Sequence, residues 1–435
     1  MDLPSEIITN THIKIANAKT PLILMELPSE IIANILSRLP WRTIISCKCV
    51  CKQWDKLLSS PEFVKFHRSV STPEVLVLQA DPIGRYLCKF VEREDDFQLH
   101  QHGFHSDQGM KFNPKAFISS PAGYRIEMIG SVDGLLCLQY NSKIDDVICV
   151  CNPIMREYTS LPRLARIVES VNFIHYGFGV SSITGQYKVV YMFQKSVQKV
   201  RQCLVSENFK CEFYDYLIYT LGTGYWRSIP RNSPFGLSHL SFGVFLNGNL
   251  HGLVKSSPES AISISCFDLE DESFKPFSPP PYPLRLVWFA CCDTLGVLDD
   301  CLCICDSTSS IDEGGLVFWT MKEYGVKESW TRQFVFLGTQ ISPSFPYDVV
   351  YPIKGYKNGD ILFSWQHQMA FYYNNRTKTS HKVVICTDNL DPRIWLCFKT
   401  VLHSSSFLSL KSFGGEIVIS CADLWTKILM RRSQR

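Results

Sequence analysis

The chain has 435 residues, of which 46% are hydrophobic and 20% are charged, so its composition is that of a folded protein and not of a disordered one. Lysine and arginine number 44 against 41 aspartates and glutamates, and a net charge of +3 argues against a dedicated nucleic-acid-binding protein. No apolar run reaches the roughly 18 residues of a membrane-spanning helix. The length exceeds that of one ordinary core, which predicts a small domain joined to a larger or repetitive one.

The first residues contain a short internal repeat, because the stretch MDLPSEII at Met1–Ile8 returns as MELPSEII at Met25–Ile32. Only the second copy continues into a helical pattern, whereas polar residues without a period follow the first. Residues 1–24 are therefore interpreted as an extension or a disordered segment. The pattern of a secretory signal peptide is missing, so we expect a protein of the cytoplasm, the nucleus or both.

A first short helix is predicted directly after this repeat. Pro28 and Ser29 suit a helix start, and Pro40 ends the pattern because proline cannot continue the hydrogen-bond ladder. The apolar residues recur at helical spacing and form a wide stripe: Leu27, Ile31, Ile32, Ile35, Leu36 and Leu39.

Two more helices are predicted before residue 70. The second covers Thr43–Leu58 and carries Trp54 among its apolar residues, and the third begins at Ser60–Glu62 with an N-cap serine, a proline and an acidic residue. Three short helices cannot bury this much apolar surface alone. The stripe therefore either docks on the rest of the chain or forms a surface for a partner, and the pattern favours neither.

Beyond residue 73 the hydrophobic period changes to that of strands. Turns with residues that tolerate positive φ separate the strands, at Asp133-Gly134, Asn247-Gly248, Asn358-Gly359 and Gly414-Gly415. No long amphipathic helix is evident, so the prediction is antiparallel β structure. The predicted strands are Val75–Leu78, Leu135–Leu138, Val147–Val150, Tyr187–Met192, Phe213–Thr220, Val244–Val254, Ala261–Phe267, Val297–Cys305, Gly315–Met321, Asp360–Trp365, Met369–Tyr373 and Ile417–Cys421.

One unit recurs in this region: an apolar strand, a polar turn, and an anchor residue that is usually aromatic. The anchors Tyr158, Trp226, Phe274, Trp330 and Thr379 are 68, 48, 56 and 49 residues apart. Propeller blades of the kelch type run near 50 residues, and the segment from Val75 to Phe90 supplies an earlier blade. The spacing predicts about six blades over residues 73–425, with a two-sheet sandwich or two smaller β domains as the alternative.

The 18 cysteines are interpreted as buried, reduced thiols. Cys149 and Cys151 are two residues apart, as are Cys301, Cys303 and Cys305, which places each set on one face of a strand. No Cys-x-x-Cys pair occurs, and zinc sites usually contain one. No metal is therefore expected.

The helical region resembles the F-box of plant proteins, at Leu27–Ile32, Ile35–Pro40, Cys49–Trp54 and Ser60–Phe63. The resemblance implies binding to an SKP-type adaptor and, through it, to a cullin–RING ubiquitin ligase. Residues 22–70 hold seven lysines and arginines against four acidic residues, which would attract an acidic partner. Carried over by position, the adaptor-binding residues are Leu27, Pro28, Ile31, Ile35, Leu36, Leu39, Pro40, Val50, Cys51 and Trp54.

The remaining chain resembles the F-box-associated domain, at Ser131–Leu138, Cys151–Pro153, Tyr176–Val180, Gln186–Val190, Phe267–Leu269, Trp319–Val326 and Ser329-Trp330. This resemblance implies a kelch-like β-propeller that holds a client protein, although it does not indicate the client or its binding residues. At His251-Gly252 the chain departs from the family, which usually has tryptophan after the histidine. We expect a packing gap or a reshaped pocket there.

The predicted organisation is an extension at 1–24, an F-box at 25–68, a propeller at 73–425 and a basic tail at 426–435. It implies a mainly β protein with a small all-α domain in front. The predicted function is that of the substrate-recognition subunit of an SCF-type ligase, acting without catalysis, cofactor, membrane or nucleic acid.

Two other classes of function are weighed against this one. A propeller enzyme such as a copper oxidase would need converging Tyr, His and Cys, which spacing alone does not indicate. A glycan-binding adaptor would need aromatic-rimmed pockets. The histidines His100 and His102 are interpreted as loop residues, and Asp145-Asp146 and Asp299-Asp300 as turn residues. No complete nucleotide loop or nucleophile elbow is present.

Overall fold

The computed structural model divides the chain into two compact units. The helical unit comprises residues up to Thr72 together with Ser404–Leu408, and the β unit comprises Pro73–His403 and the residues from Ser409 onward. The structure describes residues 27–80, 86–91, 125–141, 146–164, 171–195, 214–229, 238–239, 241–255, 262–281, 286–287, 290–291, 294–306, 315–336, 349–365, 369–383 and 398–420. In these residues no helix has the length and apolar character needed to cross a membrane.

The helical unit contains α1 (Ser29–Ser37), α2 (Trp41–Lys48), α3 (Lys52–Leu58) and α4 (Pro61–Val70). The predicted second helix over Thr43–Leu58 is wrong in one respect, because two helices occupy this stretch. The chain leaves helical geometry at Cys51, which is extended with φ −158° and ψ 160°, and the Cys51 sulfur accepts a hydrogen bond from the Trp54 amide. Cys51 therefore caps a new helix.

The start predicted for the last helix is confirmed. The Ser60 hydroxyl accepts a hydrogen bond from the Phe63 amide at 3.2 Å, and Pro61 occupies the first turn, where its missing N–H costs nothing. Glu62 lies in the same turn, where its negative charge favours the positive end of the helix dipole.

The described strands of the β unit are, in chain order, β1 (Glu74–Ala80), β2 (Tyr86–Val91), β3 (Arg125–Val132), β4 (Leu135–Asn141), β5 (Asp146–Asn152), β6 (Glu157–Ser160), β7 (Val171–Val180), β8 (Tyr187–Lys195), β9 (Tyr214–Thr220), β10 (Trp226–Ile229), β11 (Ser238–His239), β12 (Val244–Leu246), β13 (Asn249–Lys255), β14 (Ile262–Asp268), β15 (Ser273–Phe277), β16 (Leu286–Val287), β17 (Ala290–Cys291), β18 (Thr294–Leu298), β19 (Cys301–Asp306), β20 (Gly315–Met321), β21 (Trp330–Phe336), β22 (Val350–Gly355), β23 (Ile361–Trp365), β24 (Met369–Asn374), β25 (Thr379–Val383), β26 (Phe398–His403) and β27 (Val418–Ser420).

Five antiparallel sheets of four or five strands form blades. Their strands are β3–β6 with β27 on the outer edge, β7–β10, β11–β15, β18–β21 and β22–β25. A three-stranded sheet combines β2 and β1 with β26 from near the other end of the sequence, and β16 pairs with β17 separately. The β unit is therefore mainly antiparallel, as predicted.

The inner strands of successive sheets contact one another in a closed circle. The order is β3, β7, β12, β18, β22, β26 and back to β3. The ring is that of a β-propeller, with five blades against a predicted count of about six. The three-stranded sheet closes the circle by pairing β1 with β26 over Glu74–Gln79. The sandwich alternative does not hold.

The recurring sequence unit corresponds to the third and fourth strands of each of the five blades. Every anchor lies at the first or second position of a fourth strand: Tyr158 in β6, Trp226 in β10, Phe274 in β15, Trp330 in β21 and Thr379 in β25. At two predicted turns the residue before glycine has the expected left-handed backbone, with φ 51° at Asp133 and 50° at Asn247. At Asn358-Gly359 only the glycine has a positive φ, of 83°.

Two predicted strands are each a hairpin. The stretch Val244–Val254 contains β12 and β13 around the turn at Asn247-Gly248, and Val297–Cys305 contains parts of β18 and β19 around Asp299-Asp300. Both aspartates have positive φ, 49° and 57°, so their interpretation as turn residues is confirmed. Aspartate tolerates this backbone because its short side chain bonds locally.

Candidate functional site

The helical unit buries a small core of its own. Seven large side chains are each at most 6% exposed: Ile32, Leu36, Trp41, Ile44, Trp54, Leu58 and Phe63. They come from all four helices, which is why the unit folds around them despite helices of only seven to ten residues.

Other aliphatic side chains of the same helices lie at the surface. Ile31 and Ile35 are 47% and 41% exposed, and they are four residues apart in α1, so they share one face of the helix. Val50, between α2 and α3, is 49% exposed. Val70, the last residue of α4, is 42% exposed. A unit that buries seven large side chains and exposes four others has an apolar surface available to a partner.

The ten residues that the F-box resemblance singled out fall into three groups. Pro28, Ile31, Ile35, Pro40 and Val50 are exposed, and Leu27, Leu39 and Cys51 are half-buried.

Leu36 and Trp54 are each only 4% exposed, so they pack inside the unit and support the surface from below. Their assignment as adaptor contacts stays a prediction. The exposure of Ile31 and Ile35 depends on the rotation of α1 about its axis, which hydrophobic spacing alone leaves open, and the other six lie outside the helices.

Two titratable side chains of the helical unit are perturbed by burial. The pKa of the Cys47 thiol is raised and the pKa of His67 is lowered, in both cases because the charged form loses water. Both groups are therefore neutral at pH 7, and the unit's charge comes from exposed residues such as Arg38, Lys52 and Lys56.

The β unit brings together one trio of histidine, tyrosine and cysteine that the sequence did not indicate. His251 is fully buried, and its Nε2 lies 2.8 Å from the Tyr324 hydroxyl while its Nδ1 lies 3.2 Å from the Val244 carbonyl. The Cys266 sulfur lies 3.9 Å from the same hydroxyl. Burial lowers the pKa of His251 to about 4 and raises the pKa of Tyr324 well above its usual value.

Both nitrogens of His251 already have a hydrogen-bond partner, so the trio joins β13 and β14 to the residues after β20. Sequence reasoning missed it because Tyr324 is 73 residues from His251. Across the described ranges no three His, Cys, Asp or Glu residues are placed to hold a metal ion together.

The expected packing gap beside His251 is wrong. The backbone of Ser241 and Phe242 occupies that space, because a Cβ on Gly252 would lie 2.2 Å from the Ser241 carbonyl oxygen. Glycine is therefore required by the close approach of a second chain segment.

A buried ion pair joins β8 to the turn after β14. The Lys188 ammonium is 4% exposed and lies 2.8 Å from the Glu272 carboxylate, which Arg227 also contacts. Burial alone would raise the pKa of Glu272, but the hydrogen bonds from Arg227 and Lys188 bring it below its ordinary value. The carboxylate is ionised at pH 7, and its charge is compensated.

The cysteines that the structure describes are free thiols, and most are buried. Cys149 and Cys151 are both buried in β5, and Cys303 and Cys305 in β19, whereas Cys301 is partly exposed. Burial raises the pKa of Cys149 and of Cys303 to about 12, which makes these thiols inert at pH 7. The interpretation as small core residues is confirmed for the buried cysteines, and it is wrong for Cys49, which is exposed.

The remaining candidates from the sequence have structural positions or lie outside the described residues. Two Gly-x-Gly pairs are too incomplete for a nucleotide loop and have structural positions. Gly177 and Gly179 lie within β7, where Leu250 and Leu269 pack against them, and Gly222 and Gly224 form the turn between β9 and β10. The histidines at 100 and 102 lie outside the described residues, as does Asp145. Asp146 is the first residue of β5 and pairs with Asn141, so its interpretation as a turn residue is wrong.

Comparisons with known proteins agree with the two resemblances. The family described as "F-box associated beta propeller domain" matches residues 87–393, and an "F-box-like" family matches residues 24–67. "F-box protein At3g07870" of Arabidopsis thaliana is 27% identical over 357 residues, covering 78% of each chain. "F-box protein CPR1" of the same plant is 26% identical over 341 residues, covering 74% of this chain and 75% of that protein.

Solved structures resemble the chain only distantly. An uncharacterized protein from Listeria monocytogenes is 10% identical with a TM-score of 0.32, covering 60% of this chain and 82% of its own, and such a likeness carries no functional argument. The family match at residues 87–393, by contrast, spans most of the β unit. The chain therefore belongs to the plant F-box proteins that carry an F-box associated β-propeller domain.

Proposed function

We propose that this protein is the substrate receptor of an SCF-type ubiquitin ligase, in which the helical unit binds an SKP-type adaptor and the propeller binds a client protein. The observation that carries the proposal is the exposed apolar face of α1, formed by Ile31 and Ile35 within the F-box match. Apolar side chains that remain exposed on a small unit are the usual core of a protein interface.

The charge of the helical unit supports an acidic partner. The exposed cations include Arg38, Lys52, Lys56, Lys65 and Arg68, against three described acidic residues on the same helices. Charges around the rim of an interface raise the rate of association more than they raise affinity. Binding is therefore expected to keep its apolar contribution in high salt while its association rate falls.

The mechanism is one of proximity and involves no chemistry by this chain. An adaptor-bound receptor holds a client lysine close to a ubiquitin-charged enzyme, which raises the effective concentration of the two reacting groups. F-box proteins are in general adaptors without catalytic activity. The neutral buried thiols and the compensated carboxylate of the propeller are consistent with this role, because neither is poised for nucleophilic attack.

A matched pair of surface variants tests adaptor binding. The double variant Ile31→Asp with Ile35→Asp places two charges on the exposed face of α1 and should weaken binding of an SKP-type adaptor by about a hundredfold or more. The control, Ile183→Asp with Ile417→Asp, makes the same change at two exposed residues of the β unit and should bind as the wild type does. Titration of purified adaptor by calorimetry measures both.

Because all four isoleucines are exposed, neither double variant should lower the free energy of unfolding by more than about 0.5 kcal/mol per site. Wild-type affinity in the α1 variant would overturn the proposed docking surface. Absence of adaptor binding by the wild type would overturn the function itself.

The client half of the proposal needs a different experiment. Proximity labelling in plant cells with the ligase inhibited should enrich proteins whose ubiquitylation depends on this chain. The α1 double variant is the useful comparison, because it keeps the propeller and should accumulate the same labelled proteins without ubiquitylating them. Labelled proteins whose ubiquitylation is unchanged by the variant would contradict the client role.

A further inference from the structure

The segment Ser404–Leu408 lies near the C-terminal end of the sequence, yet it belongs to the helical unit. It follows β26 directly and has no regular secondary structure. Ser405, Ser406 and Phe407 are each at most 3% exposed. Irregular segments normally run over the surface, so three consecutive buried residues mark this one as part of the unit's core.

Phe407 touches two different helices of the unit. Its ring centroid lies 6.2 Å from that of Phe63 and 5.1 Å from that of His67, and these two α4 side chains also stack on each other. The Lys48 ammonium, at the end of α2, lies 5.8 Å from the Phe407 centroid. One aromatic ring from outside the F-box sequence therefore completes the packing between α2 and α4.

Phe407 is connected to the propeller through the strand that directly precedes its segment. The ring is four residues beyond the end of β26, the strand that closes the propeller ring by pairing with β1. Pairing of β26 fixes the start of the segment and so raises the effective concentration of Phe407 for its site on α4. A chain in which β26 is unformed lacks this tether.

We propose that Ser404–Leu408 is a clasp that makes adaptor docking conditional on a completed propeller. The proposal rests on the proposed function of the helical unit, and it adds a dependence that the F-box alone does not have. Helix α4 has ten residues, and helices this short owe their stability to packing. A receptor whose propeller is incomplete would therefore present a loosened docking unit and would be excluded from the ligase.

Amide hydrogen exchange of the full-length protein tests the clasp without any partner. In Phe407→Ala, the amides of α4 should exchange at least about tenfold faster than in the wild type, whereas those of β18–β21 should keep their protection. Phe407→Leu should lie between the two, because it retains part of the apolar contact. The matched control is Phe413→Ala, which removes a half-buried ring of the β unit that packs 5.5 Å from Tyr187. It should leave α4 unchanged.

Wild-type exchange of α4 in Phe407→Ala would overturn the clasp. Faster exchange in β18–β21 as well would also overturn it, because Phe407 would then be stabilising the whole chain and not the helical unit. If Phe407→Ala does not accumulate as folded protein, the same two readings in Phe407→Leu decide the question.

Adaptor affinity tests the conditional step. Phe407→Ala should bind an SKP-type adaptor at least about tenfold more weakly than the wild type, and Phe413→Ala should bind equally well. Equal affinity of Phe407→Ala and the wild type would overturn conditional docking. Failure of the wild type to bind would contradict the proposed function instead, and the exchange measurement on α4 would still decide whether the clasp exists.

Discussion

The helical unit and the propeller differ in where their exposed large apolar side chains lie. On α1 two exposed isoleucines share one helix face, whereas the exposed apolar residues described in the β unit are spread over turns and strand ends, as at Ile183, Tyr225 and Ile417. Ring closure lets each blade bury its faces against two neighbours. The comparison supports the proposal that α1 is a docking surface, because among the described helices only α1 groups two exposed isoleucines on one helix face.

The largest expected effect is in the propeller core. Phe363 is fully buried, with ring centroids of Phe318 and Phe371 at 5.9 and 5.6 Å. Phe363→Ala should lower the free energy of unfolding of the β unit by about 4 kcal/mol, because it removes the ring and leaves a cavity in a ring-closed structure. Urea unfolding measures this loss, and Phe363→Leu should lose less than half as much.

If adaptor docking does not depend on the packing of the propeller core, Phe363→Leu should bind the SKP-type adaptor nearly as well as the wild type. A loss below about 1 kcal/mol in Phe363→Ala would contradict the view that the propeller core is rigidly packed.

The second effect is a dependence of propeller stability on pH. His251 has a pKa of about 4 in the folded protein against about 6.5 when unfolded, so the unfolded chain binds more protons between these values. The resulting stability is fully present above pH 6.5 and is lost as the pH falls toward 4, by about 3 kcal/mol in total.

Urea unfolding at a series of pH values measures how steeply the free energy of unfolding changes with pH. His251→Gln keeps a hydrogen-bonding side chain and cannot be protonated, so its slope between pH 6.5 and 4 should be smaller by about one proton. An unchanged slope would show that His251 is not the titrating group. His403, whose pKa burial lowers to about 3, contributes in the same direction in both proteins.

Neighbouring residues of α1 provide the third prediction. Leu36 is 4% exposed and Ile35 is 41% exposed. Leu36→Ala should lower the free energy of unfolding of the helical unit by about 2 to 3 kcal/mol, whereas Ile35→Ala should change it by less than about 0.5 kcal/mol. Hydrogen exchange of α1 and α4 measures both, and the reverse order would contradict the assignment of core and surface.

The same two variants test the proposed docking surface on α1. Ile35→Ala should weaken adaptor binding although it leaves the fold intact, which is the signature of an interface residue. Leu36→Ala should weaken binding only to the extent that it unfolds the unit. If both variants lose the same adaptor affinity for each kcal/mol of unfolding free energy that they lose, the result argues against a docking surface on α1.

The smallest expected effect concerns the cap of α4. Ser60→Ala removes the acceptor of the Phe63 amide and should destabilise the helical unit by about 1 kcal/mol. Ser60→Asn should restore most of this loss, because asparagine caps as well as serine does. Exchange rates of the first amides of α4 report the change, and equal rates in the alanine and asparagine variants would contradict the cap.

Local sequence signals predicted the elements whose causes are local. The cap at Ser60, the end of α1 before Pro40 and the turns at Asp133 and Asn247 follow from residues within a few positions of each other. The recurring unit was found because hairpins of sequence neighbours repeat in every blade. The break at Cys51 was missed, because a cysteine cap has no strong sequence signal.

Within the helical unit, composition and spacing determined that an apolar stripe exists but not which of its members face outward. Ile35 and Leu36 are adjacent and equally apolar, and only the packing of α1 within the unit exposes one and buries the other. The resemblance to the F-box supplied the ten candidate residues together, and burial then separated two core residues from five exposed and three half-buried ones.

Residue patterns alone were enough to predict a small helical part, a β part built from repeated hairpins and the F-box resemblance. Three features follow only from the folded chain: β26 closes the ring on β1, Gly252 lies against another segment, and Phe407 packs on α4. The physical reason is the distance along the chain. Periodicity and turn chemistry report on neighbours, whereas these contacts join residues far apart in sequence and exist only once the intervening chain has folded.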